Sequence, residues 1–174
     1  MKGVIAQCLA ELVIENFGRD KWEAALEKSG LNKNTVFLAT QDVNDKDVLN
    51  IVGSVCQVLK ITLPQAADAF GDYWVNKFAP KIYSAYYMGV KSAREMLLKM
   101  DSVHLNTTKT MANARPPRFN YTWYDDKTLI MTYNSERGLI DFLVGLVKGV
   151  GKHFNEHLEV TKLSNNKVKI VFEK

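Results

Sequence analysis

The first half of the chain carries apolar residues at three- and four-residue steps, which is the period of an amphipathic helix. The pattern predicts one helix that Gly18 ends and a second that Asp20 caps and Gly30 closes. A third helix is predicted to open at Asp45 or Asp47. The first third of the chain is therefore expected to be helical apart from its connecting loops.

Two further helices are predicted in the middle of the chain. Thr62 is the expected N-cap of the first, Pro64 lies in its first turn, and Pro80 is expected to break or restart it. A long helix is predicted from about Ser92 to Met111, where an Arg-Pro-Pro-Arg run stops it. Its apolar stripe comprises Ala93, Met96, Leu97, Met100, Val103, His104 and Met111.

The last third of the chain changes to a period of two. The segments FNYTWY and TLIMTY predict one hairpin, and LEVTKL and KVKIVFE predict another. A helix from about Glu136 to Phe154 is predicted between the hairpins. Three glycines inside it are expected to permit close packing: Gly145, Gly149 and Gly151. The pattern therefore indicates an α+β fold with a four-stranded antiparallel sheet and helices on one face.

Composition and charge narrow the possible functions of this 174-residue chain. The net charge is +4, but the C-terminal lysines alternate with apolar residues and form no basic run with stacking aromatics, so nucleic-acid binding is not expected. Cys8 and Cys56 lie in helical apolar patterns without a Cys-x-x-Cys spacing, which argues against a thiolate metal site. Neither a signal peptide nor a membrane span is predicted, so a reduced, cytoplasmic protein is expected.

Only three histidines are present, which narrows the search for a metal ligand. His153 and His157 flank a helix end without a completing carboxylate or cysteine pattern, so a surface position is predicted. His104 lies on the apolar stripe of the long helix. Spacing alone favours a core histidine bonded to a carbonyl, but a neutral imidazole in an apolar groove can also bind heme iron. In that case Leu97 and Met100 would lie against the flat face of the porphyrin.

A second candidate feature begins where the first hairpin ends. In an extended chain, Tyr133, Ser135 and Arg137 point the same way and can converge on one carboxylate. The alternative is a strand that runs into a helix, with Asn134 or Ser135 as the N-cap. The Pro116-Pro117 step can simply end the long helix or press a rigid ring against a ligand. Without a nucleophile–base pattern or a phosphate-binding loop, an enzyme is not expected.

Together these features resemble the heme nitric oxide/oxygen-binding (H-NOX) family, bacterial relatives of the sensor domain of soluble guanylate cyclase. The resemblance spans essentially the whole chain, and the histidine, the Pro-Pro step and the Tyr-x-Ser-x-Arg triple form a specific combination. It implies a single domain with a helical lobe at about 1–62 and a heme-ligating α/β lobe at about 63–174, with heme between them. The matching segments are Met1-Lys2-Gly3, Phe70-Gly71-Asp72-Tyr73-Trp74-Val75 and Asp101-Ser102-Val103-His104-Leu105.

The resemblance also implies roles for single positions. His104 matches the proximal ligand of a heme b iron, and Tyr133, Ser135 and Arg137 match the residues that bind the heme propionates. Pro117 matches the proline that packs on the porphyrin and bends it. The positions implied to line the pocket, including the distal face, are Ile5, Leu9, Trp74, Phe78, Met100, Phe142 and Leu146.

One position is implied to select the gas. Oxygen-binding members carry a tyrosine five residues after the motif arginine, whereas this chain has Phe142, which has no hydrogen to donate. The expectation is a sensor of nitric oxide, and of carbon monoxide, that excludes oxygen. It would signal through breakage of the iron–His104 bond to a histidine kinase or a cyclic-di-nucleotide enzyme in trans.

Three alternatives remain open at this point. Trp74 has an indole N–H that could support oxygen binding instead. A heme-free interaction module could retain the fold. A heme enzyme such as a peroxidase usually needs a distal histidine or arginine, and Ile5, Leu9, Trp74 and Phe142 supply neither.

Overall fold

The computed structural model describes residues 1–173. Its chain forms two compact units, Met1–Ala66 and Ala67 onward, and the division falls inside the fourth helix. The first unit contains α1 (Gly3–Phe17), α2 (Arg19–Lys28) and α3 (Asp45–Leu59). These helices bury one apolar stripe each, as the spacing predicts. The stripes include Leu9, Leu12, Val13, Trp22, Leu26, Val48, Ile51 and Val55.

The start of α2 differs from the prediction. Gly18 adopts a φ of 96° and is both the C-cap of α1 and the N-cap of α2. Because no residue separates the two helices beyond this glycine, Asp20 lies inside the first turn of α2 and does not cap it. The predicted Asp20 cap is therefore wrong, although its carboxylate still lies near the positive end of the helix dipole.

The fourth helix begins as predicted and then changes its winding. Thr62 and Gln65 bond reciprocally around the first turn of α4 (Leu63–Tyr73), since the Thr62 N–H donates to Gln65 Oε1 at 2.9 Å and the Gln65 N–H to Thr62 Oγ1 at 3.4 Å. A π-helical turn follows at Trp74–Phe78, and α5 (Ala79–Ile82) continues the helix. Pro80 thus restarts the helix, as expected, in its first turn.

The two long helices of the second unit are shorter than predicted. The first, α6, spans Ala93–Thr108 and ends before Met111, which is exposed. The chain then turns at Asn113, with a φ of 58°, before the two prolines. The other, α7, spans Ile140–His153 rather than starting at Glu136. Gly138 adopts a φ of 64°, which is incompatible with a right-handed helix. The helix α7 therefore begins only after this turn.

The sheet has four antiparallel strands: β1 (Arg118–Trp123), β2 (Thr128–Asn134), β3 (Leu158–Lys162) and β4 (Lys167–Phe172). They are ordered β1-β2-β4-β3. Alternate side chains of β2 and β4 face a core formed with α6 and α7. This core includes Leu129, Met131, Val168, Ile170, Leu97, Leu143 and Val147. The predicted α+β class and both hairpins are confirmed, and the heme position stays a prediction.

Within residues 1–173, no individual helix combines the length and apolarity that a membrane crossing needs. Asp45–Leu59 and Leu63–Ile82 meet that test only as a pair, with a bend between them.

Candidate functional site

His104 lies in the C-terminal half of α6 and contacts the segment that leads into β1. Its Nδ1 is 3.1 Å from the carbonyl oxygen of Pro117. A carbonyl only accepts hydrogen bonds, so Nδ1 carries the hydrogen and Nε2 keeps a lone pair. A histidine held in this tautomer can bind a metal ion through Nε2. The hydrogen bond to a carbonyl that the spacing favoured is therefore present, and it is compatible with metal binding through Nε2; the role of His104 as iron ligand stays a prediction.

The surroundings of His104 keep its ring neutral. Burial lowers the pKa of His104 below its ordinary value, and this effect outweighs the Pro117 carbonyl bond and the Asp101 carboxylate, which both favour the protonated ring. The ring lies 5.2 Å from the ring of Phe119, and Met100 is partly buried one turn earlier on α6. A neutral imidazole among apolar side chains suits heme iron better than a protonated one.

Asp101 joins the preceding turn of α6 to β1. Its Oδ1 accepts from Arg118 Nε and from the Phe119 N–H, both at 2.8 Å, and its Oδ2 accepts from Arg118 Nη2 at 2.7 Å. The Arg118 hydrogen bonds are the main reason that the pKa of Asp101 falls to about 2. Nearby, the Tyr121 hydroxyl donates to the Leu97 carbonyl at 2.9 Å. The helix that carries His104 is therefore tied to the strand that follows Pro117.

Phe119 separates His104 from Tyr133. Tyr133 is buried in β2 directly opposite Phe119 of β1, and their ring centroids are 6.1 Å apart. The His104 ring contacts Phe119 as well. The structure therefore brings the predicted metal ligand and the tyrosine of the predicted anion-binding triple to one phenyl ring.

Ser135 and Arg137 lie in a turn after β2, where the extended alternation no longer applies. The Arg137 N–H donates to Ser135 Oγ at 3.4 Å, and the Arg137 guanidinium donates to the carbonyl of Arg115. This bond joins the turn to the proline segment. The helix-cap alternative is wrong, because the N-cap of α7 is Leu139 and no side chain caps it. Convergence of the three side chains on one anion stays a prediction.

A column of aromatic rings surrounds Trp74. Trp74 stacks on Phe70 at 5.8 Å and on Phe78 at 5.4 Å, with interplanar angles of 23° and 29°. Phe142 of α7 meets Phe70 edge-on at 5.3 Å. Leu146 is partly buried one turn further along α7. The structure thus brings together three of the predicted pocket positions, Trp74, Phe78 and Phe142.

Two glycines let α7 approach the helix that carries this column. A Cβ at Gly145 would lie 2.0 Å from the carbonyl oxygen of Ala67, and a Cβ at Gly149 would lie 2.5 Å from that of Gly71. An ion pair flanks the crossing, since Lys148 Nζ and Asp68 Oδ2 are 2.7 Å apart. The predicted close packing of Gly145 and Gly149 is confirmed, and it sets how far Phe142 lies from Phe70.

The remaining predicted residues lie elsewhere. Ile5 is partly buried and Leu9 is buried on α1 of the first unit, and their pocket role stays a prediction. His153 and His157 are exposed, as expected of surface histidines. Within residues 1–173, no three histidine, cysteine or carboxylate side chains cluster as a metal site. Sequence reasoning gave no role to Asp101, although its place one turn before His104 on the same helix was a usable signal.

A protein-family model and several guanylate cyclases match this chain in sequence. The family model described as haem-NO-binding (HNOB) matches residues 2–162. Soluble guanylate cyclase gcy-32 of Caenorhabditis elegans is 30% identical over 156 residues, which cover 87% of this chain and 23% of the cyclase. Soluble guanylate cyclase gcy-35 of the same organism is 25% identical over 171 residues, covering 96% of the chain and 25% of the cyclase. The chain therefore spans about a quarter of the length of these relatives.

Solved structures share the fold over the whole chain. An oxygen-binding H-NOX domain, described as related to soluble guanylate cyclases and solved as its oxygen complex, superposes with a TM-score of 0.84 at 25% identity, covering 100% of this chain and 96% of that one. A mutant H-NOX domain of T. tengcongensis also gives a TM-score of 0.84 at 25% identity, covering 100% and 98%.

Proposed function

Because the chain belongs to the haem-NO-binding (H-NOX) family of heme gas-sensor domains, we propose that it senses nitric oxide at ferrous heme b and excludes oxygen. The observation that carries the proposal is the hydrogen bond between His104 Nδ1 and the Pro117 carbonyl, which leaves the Nε2 lone pair available to bind iron. Pro117 would pack on the porphyrin, and Tyr133, Ser135 and Arg137 would hold its propionates. When bound, the heme supplies the ferrous iron at which nitric oxide or carbon monoxide binds.

Phe142 supports the exclusion of oxygen. Its ring packs against Phe70 at 5.3 Å and offers no hydrogen to a polar iron–oxygen unit. A net hydrogen bond contributes ~0.5–1.5 kcal/mol, and more in a dry pocket, so its loss lowers oxygen affinity by about tenfold or further. Nitric oxide depends much less on such a donor. Trp74 is the one predicted pocket residue whose side chain has an N–H. If an oxygen complex formed, Trp74 would therefore be the expected hydrogen-bond donor.

In this proposal the signal would start with release of His104 from the heme iron that it would hold. The Asp101 hydrogen bonds to Arg118 and Phe119 tie α6 to β1. His104, α6 and the start of β1 would therefore respond together. A partner would recognise the change at their surface. The shift in the equilibrium between the two states can be no larger than the difference in interaction free energy that the ligand has with them. We propose a histidine kinase or a cyclic-di-nucleotide enzyme as the partner, acting in the cytoplasm.

Absorption spectra of the reduced protein test the proposal directly. We expect a Soret band, a shift with nitric oxide and no stable oxygen complex in air. In His104→Gly the iron link should be lost and should return when imidazole is added. His157→Gly is the matched control, because that side chain is 71% exposed and should leave the spectrum unchanged.

Each alternative predicts a different spectrum. If the purified chain showed no Soret band of bound heme after incubation with heme, the heme-free interaction module would be favoured. A stable oxygen complex would refute the exclusion of oxygen, and its loss in Trp74→Phe would identify Trp74 as the donor. If nitric oxide regulated the partner equally well through His104→Gly, the proposed switch would be wrong.

A further inference from the structure

The π turn at Trp74–Phe78 leaves one backbone carbonyl without its regular partner. The Ala79 N–H donates to the Trp74 carbonyl, five residues back, instead of to Val75 as in an α-helix. In the π register the partner of the Val75 carbonyl is residue 80. Pro80 has no N–H, so it cannot donate that bond. The turn therefore needs a donor from outside the helix.

Tyr87 supplies that donor. Its hydroxyl donates to the Val75 carbonyl at 3.0 Å. Burial raises the pKa of Tyr87 to about 12, so the hydroxyl keeps its hydrogen at any physiological pH. The Tyr87 ring meets the His153 ring edge-on at 5.1 Å, which holds the phenol against α7. A single side chain thus replaces the backbone bond that Pro80 removes.

Asn76 ties the same turn to α7 from a second direction. Its Nδ2 donates to Asp72 Oδ1 at 2.8 Å and to the Gly149 carbonyl at 3.3 Å. Its Oδ1 lies 3.1 Å from Nδ1 of His153. These bonds fix where the turn lies, but they do not satisfy the Val75 carbonyl. Tyr87 is therefore the contact that specifically favours the π register.

The register of this turn decides the direction of two side chains. A π turn inserts about one extra residue, which rotates the following side chains by roughly 100° relative to a continuous α-helix. Trp74 and Phe78, which stack on each other within the aromatic column, lie at the two ends of the turn. A return to the α register would move Phe78 relative to Trp74 and disrupt the stack.

We propose that Tyr87 is a positioning residue for the gas pocket, holding the π turn and thereby setting the positions of Trp74 and Phe78. The pocket part of this proposal rests on the proposed function. Tyr87→Phe removes only the hydroxyl. Tyr124→Phe is the matched control, because Tyr124 is 83% exposed.

Hydrogen exchange of the heme-free protein tests whether Tyr87 holds the turn. In Tyr87→Phe, amides of residues 74–82 should exchange about two- to tenfold faster, the factor expected for one net hydrogen bond. Tyr124→Phe should match the wild type. In a Pro80→Ala background the Val75 carbonyl has a backbone donor in either register, so the effect of Tyr87→Phe should shrink. Unchanged exchange, or an equal effect in both backgrounds, would overturn the proposal.

Carbon monoxide association with the reduced, heme-loaded protein tests the link to the pocket. Tyr87→Phe should accelerate it by a factor within the same range, because the column around Trp74 opens more often. Faster exchange with an unchanged association rate would overturn the pocket part. If the wild-type chain takes up no heme, the proposed function fails and the pocket part fails with it. The exchange result would still decide whether Tyr87 holds the turn.

Discussion

Replacing Gly145 by alanine tests the close approach of α7 to the helix that carries Trp74. The added Cβ would lie 2.0 Å from the oxygen and 2.5 Å from the carbon of the Ala67 carbonyl. Both atoms belong to the backbone, so no side chain can rotate away. The two helices must separate, and this separation would also draw Phe142 and Leu146 away from Phe70.

The magnitude follows from two opposing effects. Overpacking of a dense core destabilises by ~1–3 kcal/mol, and a clash with backbone belongs at the upper end. Alanine in a helix interior recovers up to ~1 kcal/mol relative to glycine. The net loss is then about 2 kcal/mol, which lowers the Tm by roughly 4–8 °C for a chain of this size.

Gly53 provides the matched control. It lies exposed inside α3, and a Cβ there would meet nothing within 4 Å. Gly53→Ala should therefore gain only the higher helix propensity of alanine, which should raise the Tm by about 2–4 °C. Thermal unfolding should be followed by circular dichroism on heme-free protein, because a bound cofactor would add its own stabilisation. If both variants moved the Tm in the same direction, the steric reasoning would be refuted.

Four further substitutions test the other elements. Asp101→Asn should lower the free energy of unfolding by about 1 kcal/mol at neutral pH. The pKa of Asp101 is about 2 in the folded protein against an ordinary 3.8. Its contribution to the free energy of unfolding is therefore complete above about pH 4 and disappears towards pH 2. The unfolding free energies of the wild type and Asp101→Asn should converge there in acid titrations. Arg137→Ala should speed heme loss to apomyoglobin by about ten- to a hundredfold, the factor for a hydrogen bond to a charged group. Phe142→Tyr should yield an oxygen complex in air, and a spectrum like that of the parent would count against Phe142 as the selecting residue. Thr62→Ala should cost about 1 kcal/mol in urea unfolding, with Thr62→Ser restoring most of it.

Elements with a local physical cause could be predicted from the amino-acid sequence alone. Side-chain alternation specified both hairpins, because neighbouring strand residues face opposite sides of a sheet whatever surrounds it. Thr62 and Gln65 specified the start of α4 because their bonds close within one turn. Glycine spacing on α7 correctly indicated close packing. Likewise, His104 and the Tyr-x-Ser-x-Arg triple carried the family resemblance.

The remaining features could not be predicted from the sequence, because they depend on contacts between residues far apart in the chain. Nothing near Ala67 in sequence identifies Gly145 as its neighbour. The clamp of Asp101 on Arg118 and Phe119 joins a helix to a strand across the two prolines. In the π turn the Val75 carbonyl lacks the donor that Pro80 cannot supply, and the turn is stabilised by Tyr87, which the fold alone brings to Val75. Local secondary-structure propensity does not predict such hydrogen bonds, because they stabilise the protein only after the chain has folded and excluded water from them.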